Sequence, residues 1–178
     1  MNKKYQVIYA DPPWKYSFSG TRTTKHDDYS TMTTEGICAL NIKGITDDNC
    51  ILFMWMIWNR LPDALKVIDS WGFKYIGSAF TWVKRSKSGE KWHFGMGGWT
   101  RQNSETCLFA IKGNPKRLSA SVRSVVDDIV MKHSKKPECV RERIVELMGD
   151  LPRIELFARQ KTEGWDVWGN EVESDIEL

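Results

Sequence analysis

The sequence has no apolar run long enough to cross a membrane. Its longest, Cys50 to Trp58, falls far short of the roughly 20 residues a spanning helix needs. Nor does the N-terminus, MNKKYQVIYADPPW, carry the extended apolar region and small-residue cleavage site of a secretory signal, because Asp-Pro-Pro cuts off its short apolar piece. The expectation is a cytoplasmic protein with no membrane partner. Cysteine is scarce and unpatterned. Cys38, Cys50, Cys107 and Cys139 form no CxxC and have no histidine partners at ligand spacing, which argues against a zinc module or a disulfide framework, so no metal is expected. Three of the four sit inside apolar patterns, where a buried free thiol is the usual state. There is no GxGxxG, so the general dinucleotide fingerprint is missing. No internal repeat or low-complexity segment is present.

What is there suits one domain, residues 1–178, with a full core: 178 residues, 41% apolar and 28% charged. Tryptophan is abundant, with nine in the chain. Trp14, Trp92, Trp99, Trp165 and Trp168 stand beside Gly, Pro or charged residues, where loops are expected. Indoles left open there are costly unless they bind something flat or cover a pocket. The net charge of +3 says little, but basic residues gather at Lys84–Lys91, Lys112–Arg123 and Lys132–Lys136, while the C-terminus is acidic. Two readings of that pattern stand, a basic face that meets phosphates and a set of solvated loops.

Periodicity predicts alternating strands and helices. Tyr5–Ala10 reads as a buried strand, followed by a polar loop over Asp11–Asp28. Thr33 or Thr34 is placed to cap a short helix ending near Leu40. Cys50–Ile57 is apolar throughout, as expected of a central parallel strand. Leu61–Trp71 has helical spacing and stops at Gly72, and Phe73–Lys84 is strand-like. A Gly-rich polar loop, Arg85–Gln102, leads to a strand over Ser104–Ile111 that Gly113-Asn114-Pro115 ends. Val122–Lys132 reads as another strand, Pro137–Met148 as a helix with proline in its first turn, and Arg153–Ala158 as the last strand. This alternation predicts an α/β fold, a single Rossmann-like domain with an open, mostly parallel sheet and helices on both faces. Ligands then belong at the carboxyl ends of the strands, where Tyr9-Ala10-Asp11-Pro12-Pro13-Trp14 and Phe157-Ala158-Arg159-Gln160 both stand.

Asp11-Pro12-Pro13-Trp14 carries the most chemistry. Each proline lacks an N–H and fixes φ, giving a stiff kink whose carbonyls are expected to stay free as acceptors beside the Asp11 carboxylate. Acceptors converging next to an aromatic plate fit a planar ring bearing an NH₂: Trp14 stacks on the ring while Asp11 and a proline carbonyl take the two N–H bonds. The alternative is a strand-terminating turn whose tryptophan belongs to the core.

With these residues in view, the chain resembles the mRNA-adenosine-methyltransferase-like family of adenine N-6 methyltransferases, whose signature is DPPW. The likeness continues in family order through DDYSTMT (Asp27–Thr33), ILFMWMIWNRL, FTWVKR (Phe80–Arg85), NSETCLFAIKGNP (Asn103–Pro115), KKPE (Lys135–Glu138), RIELFARQ (Arg153–Gln160) and WDVWGNE (Trp165–Glu171). The resemblance implies S-adenosyl-L-methionine as cofactor and nucleic acid as substrate, DNA in preference to RNA. A homodimer is among the assemblies it allows. It implies a permuted order, with the catalytic motif first and the cofactor motif last. It assigns Asp11, Pro12, Pro13 and Trp14 to the reaction. It places Asp11, Lys136, Arg159, Gln160, Asn170 and Glu171 around the cofactor, and Trp14, Tyr29, Lys84, Arg101, Asn103 and Glu105 around the substrate. Taken singly, Lys136 also reads as a solvated lysine at a helix start and Glu171 as an acid of the tail. A non-catalytic nucleic-acid-binding subunit and an RNA adenosine methyltransferase are the competing functions. Ser17–Asp28 and Arg85–Gln102 are the candidates for contact with nucleic acid, the second read as a mobile loop that its glycines make easy to rearrange.

Overall fold

The computed structural model describes residues 3–15, 31–95, 97, 99–131 and 135–178. Their seven strands form one sheet: β1 (Tyr5–Ala10), β2 (Thr46–Met56), β3 (Lys74–Arg85), β4 (Ser104–Lys112), β5 (Val125–Ile129), β6 (Arg153–Leu156) and β7 (Asp166–Trp168). The strand order is β5-β3-β4-β2-β1-β6-β7. Strand β1 pairs in parallel with β2 and β6, β6 with β7, and β3 with β5; β4 runs antiparallel between β2 and β3. The mostly parallel α/β sheet read from periodicity is therefore present. Two corrections apply to it. Strand β2 has one antiparallel neighbour, since an apolar run records burial on both faces but not the direction of the strand beside it. Arg153–Ala158 is not the last strand, because Asp166–Trp168 adds β7, too short for alternation to reveal.

Side chains alternate between two cores. Ile8, Ala10, Leu52, Met54, Leu108 and Ala110 face one side, where α1 (Thr34–Cys38), α2 (Ile42–Ile45) and α3 (Leu61–Ser70) contribute Ile37, Ile42, Ala64, Val67 and Ile68. Val7, Tyr9, Phe53, Trp55 and Cys107 face the other, against Val140, Ile144 and Met148 of α4 (Cys139–Met148). Helices thus cover both faces, as expected. Thr33 caps α1 by accepting the Gly36 N–H, and α3 ends at Gly72, whose φ of 83° is the left-handed value that favours glycine. Helix α4 begins two residues after Pro137, which lies ahead of the first turn rather than within it. No helix among the described residues is long and apolar enough to cross a membrane. All four cysteines are free thiols, with Cys50 and Cys107 buried.

Candidate active site

Strand β1 delivers Asp11 to the carboxyl edge of the sheet, one residue beyond its last pairing, Ala10 with Met54 of β2 and Leu156 of β6. The chain then turns sharply. Pro12 O accepts the Trp14 N–H (2.9 Å) and Pro13 O accepts the Met32 N–H (2.9 Å). The expectation that both proline carbonyls stay free is thereby corrected. The turn itself and the segment before α1 supply the two donors, and each oxygen keeps one lone pair for a ligand.

Asp11 does not face solvent alone. Its Oδ2 is 2.7 Å from Lys136 Nζ, which also lies 3.3 Å from Glu105 Oε2, and Glu105 Oε1 takes a hydrogen bond from Lys84 Nζ. Lys136 is buried, so the solvated helix-start lysine is excluded. Burial pushes the Asp11 carboxyl above the ordinary carboxylate range, and the adjacent Lys136 opposes that rise without cancelling it. Burial works the same way on Glu105, but Lys136 and Lys84 together outweigh it and hold Glu105 below its usual value. For Lys136, burial favours the neutral amine, yet Asp11 and Glu105 prevail and keep it a cation. Two carboxylates and two ammoniums from four separate segments thus share one partly buried spot.

Trp14 corrects a further expectation. It is 7% exposed and belongs to the core, with its indole N–H donating to Trp55 O at 3.2 Å. Trp165 is equally buried, and Trp168 is half-buried on β7, edge-on to Phe157 at 5.3 Å. Of the five tryptophans expected in loops, Trp92 and Trp99 are exposed and Trp168 is half-buried, whereas Trp14 and Trp165 belong to the core. Glycine and charge beside an indole mark the chain's turns, whereas its burial depends on partners far away in sequence. A cavity of about 200 Å³ lies beside Trp14, lined by Lys15, Thr33, Thr34, Glu35 and Arg60. It touches neither Asp11 nor Lys136.

The second part of the site forms where β6 and β7 end side by side. Leu156 pairs with Trp168, so Arg159 and Glu171 each stand three residues past the pairing, and Arg159 Nε is 3.8 Å from Glu171 Oε1. Two backbone features bring them there. Phe157 takes φ 62°, rare for a bulky residue, and Gly169 lies against Ala158, whose carbonyl is 2.1 Å from where a Cβ would sit. Asn170 adjoins the pair; Gln160 is exposed on the same turn. Arg159 is near enough for its charge to favour the ionised form of Asp11.

The remaining substrate candidates disperse. Asn103 accepts the Lys84 N–H through its backbone carbonyl (2.8 Å). Arg101 lies over the Phe94 ring at 4.8 Å, out in the loop, and Tyr29 and Ser17–Asp28 lie outside the described residues. The described residues of Arg85–Gln102 form a hairpin extension of β3 and β4. The His93 N–H bonds Lys84 O, the Ser86 N–H bonds Lys91 O, and the Arg85 guanidinium covers Trp92 at 4.0 Å while binding Asp127 through two 2.7 Å bonds. Gly95 and Gly97 permit tight backbone contact: a Cβ there would lie 1.8 Å from Gln102 O and 1.9 Å from Thr100 O. In this conformation the absence of a Cβ at Gly95 and Gly97 lets the backbone close on itself. Trp92, Phe94 and Trp99 project from the hairpin, Trp99 fully exposed.

Sequence reasoning missed Trp55, which lies beneath Lys136, and the Tyr9, Arg141 and Glu155 that follow it in a chain of contacts. Arg141 makes two 2.7 Å bonds to Glu155, and Trp55 donates to Tyr9 Oη at 2.6 Å. Their apolar neighbours hide them in strand and helix patterns. The only available signal was that Arg141 and Glu155 stand at positions that periodicity assigns to buried faces.

The open, mostly parallel α/β sheet is a methyltransferase-like fold, and a carboxylate with its buried cation stands at the end of its first strand. The MT-A70 family profile matches residues 5–171, and the chain belongs to that family. It is similar to the type II methyltransferase M.MunI of Mycoplasma sp., 34% identical over 99% of this chain and 82% of that protein. It is also similar to the human N(6)-adenosine-methyltransferase catalytic subunit METTL3, 28% identical over 96% of this chain but 28% of METTL3. The MT-A70-like N(6)-adenosine-methyltransferase of Arabidopsis thaliana is 27% identical over 94% of this chain and 24% of its own length. The chain therefore spans most of the Mycoplasma relative and about a quarter of the two eukaryotic ones.

Proposed function

We propose that this protein transfers a methyl group to the exocyclic N-6 amine of adenine in nucleic acid, DNA in preference to RNA, using S-adenosyl-L-methionine. The observation that carries the reading is the Asp11–Lys136 pair at 2.7 Å, set in an intact Asp-Pro-Pro-Trp turn at the carboxyl edge of a family-matched sheet. The preference for DNA draws on the relative named a type II methyltransferase, which is matched over 82% of its length.

The donor set fits the cofactor. A ribose diol takes paired hydrogen bonds of the kind Asn170 and Glu171 offer, Arg159 and Gln160 add donors beside them, and the cofactor's amino-acid end meets the charges of Asp11 and Lys136. When bound, the cofactor supplies an activated methyl group with its own leaving group, so the protein needs no covalent nucleophile. The rest is alignment. Asp11 and the spare lone pair of a proline carbonyl accept the two amine N–H bonds, which turns the nitrogen lone pair out of conjugation with the adenine ring. Lys136 keeps Asp11 an acceptor by favouring its ionised form. The small part of Trp14 that remains accessible walls the base, with the proline kink holding it in place. In a duplex the amine lies inside the stack, so the base must leave it, and the hairpin bearing Trp92, Phe94 and Trp99 with Lys87, Lys91 and Arg101 is the surface for the strand it leaves.

Incubating the purified protein with labelled S-adenosylmethionine and either DNA or RNA, then digesting and separating nucleosides, tests the reading. Label in N-6-methyladenine from DNA is expected. Label only in RNA moves the substrate, and cofactor binding with no transfer to either leaves a binding subunit.

A further inference from the structure

Trp55 stands at the end of β2, opposite Cys107 of β4, and is 1% exposed. Three parts of the residue are engaged at once. Its backbone carbonyl accepts the Trp14 indole N–H at 3.2 Å; its own indole N–H donates to Tyr9 Oη at 2.6 Å; and its ring face lies under Lys136 Nζ, 5.6 Å from the centroid. Tyr9 is itself immobilised, with the Arg141 guanidinium 5.7 Å from its ring on one side and Trp165 at 5.9 Å on another. Arg141 is tied down in turn by its paired bonds to Glu155. The orientation of the Trp55 ring is therefore set by a hydrogen bond whose acceptor is itself packed between two neighbours.

We infer that Trp55 is the positioning residue of the catalytic turn: its ring seats the Lys136 ammonium against Asp11, and its carbonyl fixes the Trp14 ring, so one side chain and one carbonyl set both the acid and the aromatic. A lysine ammonium is flexible on its stem and strongly hydrated. Buried, it needs a surface of negative potential on every side. Asp11 and Glu105 supply two such sides, and the π face of Trp55 supplies a third that no aliphatic residue reproduces. Without it the ammonium draws away towards Glu105, and Asp11 loses its closest opposing charge. Among the described residues, the charged and titratable groups that face Asp11 are Lys136, Glu105, Arg159 and Cys107, and Trp55 lies against the first of them.

The inference rests on Asp11 being the catalytic acceptor, so it is tested first without cofactor or nucleic acid. In protein labelled with ¹³C at aspartate carboxyls, the Asp11 resonance is assigned by its loss in Asp11→Asn and titrated. Trp55→Leu is expected to raise its midpoint by about one pH unit, a tenfold loss of preference for the ionised form. Trp55→Phe, which keeps a ring but no N–H, is expected to raise it by less, and supplies the test if Trp55→Leu fails to fold. Ile144→Ala, in the same core with no polar contact, is expected to lower the melting temperature and leave the midpoint in place. A midpoint unmoved by both Trp55 variants, or moved as far by Ile144→Ala, overturns the inference. In the second stage the acid limb of kcat is expected to follow the Asp11 midpoint across the three variants, with KM for nucleic acid changed less than twofold. A titration that behaves as expected in a protein that methylates nothing would remove the proposed function while leaving the geometry of Trp55 intact.

Discussion

Lys136 Nζ lies 2.7 Å from Asp11 Oδ2, although 125 residues separate the two in the chain. The pair joins the first strand to the approach of the last helix, and it places a permanent cation behind the one carboxylate in the Asp-Pro-Pro-Trp turn. Removing that carboxylate isolates its role. Asp11→Ala is expected to lower methyl transfer by far more than tenfold, about 1.4 kcal/mol of barrier, while the protein stays folded. Single-turnover kinetics beside a circular dichroism melt measure both; turnover within tenfold of wild type would remove Asp11 from the mechanism.

Trp14 belongs to the core as well as to the proposed wall for the base. Because it is buried and bonded to Trp55 O, Trp14→Ala is expected to cost about 3–5 kcal/mol, as for other large aromatics truncated in a core. Trp14→Phe keeps most of the packing and loses only the N–H, a cost of about 1–3 kcal/mol for the carbonyl left unpaired. Urea unfolding separates the two. Equal stabilities would mean that the indole is not held as the structure places it.

Glu171 is exposed, and its contact with Arg159 at 3.8 Å contributes about 0–1 kcal/mol to the fold. Glu171→Ala is therefore expected to leave the melting temperature almost unchanged and to weaken S-adenosylmethionine binding about tenfold, roughly 1.4 kcal/mol, by calorimetry. Cutting the chain after Gly169 is a poorer experiment. Ile176 and Leu178 pack on the core and Asp175 accepts the Val167 N–H at 2.9 Å, so truncation would unsettle the edge of the sheet as well.

The acidic pair at the site gives opposite pH signatures. The folded pKa of Glu105 is depressed, so its ionised form stabilises the protein above its unfolded pKa, and that stabilisation is lost as pH falls through the folded value. Asp11 is raised, so its contribution is present in acid and is lost as pH rises through its folded value. Glu105→Gln is accordingly expected to destabilise the protein near neutrality, with the difference from wild type vanishing in acid. Urea midpoints across a pH series record it; a difference independent of pH would show that Glu105 acts through packing.

Trp99 is fully exposed at the hairpin between β3 and β4, with Arg101 two residues on. Trp99→Ala is expected to leave the melting temperature in place and to weaken nucleic-acid binding by about 1–3 kcal/mol, the value of one aromatic–base stack. Fluorescence anisotropy at fixed salt measures it. Unchanged affinity would direct the search for the contact surface away from this hairpin.

Much of this protein was legible in the order of its residues, wherever the signal is local. Tyr5–Ala10 matches β1 residue for residue, the Thr33 cap and the Gly72 stop frame their helices, and Asp-Pro-Pro must end a strand because proline can neither donate to a ladder nor leave its φ. The family likeness is likewise a property of the sequence, and the proposal that Asp11, Lys136, Arg159 and Glu171 serve the site draws on it. What tertiary structure alone decided is what those residues meet. The direction of β4, the existence of β7, the burial of Trp14 under a carbonyl 41 residues away and the clamp of Trp55 and Tyr9 beneath Lys136 all depend on contacts between distant segments. Strand and helix periods report which face is buried; which charge, ring or carbonyl waits on that face is fixed only when the sheet assembles.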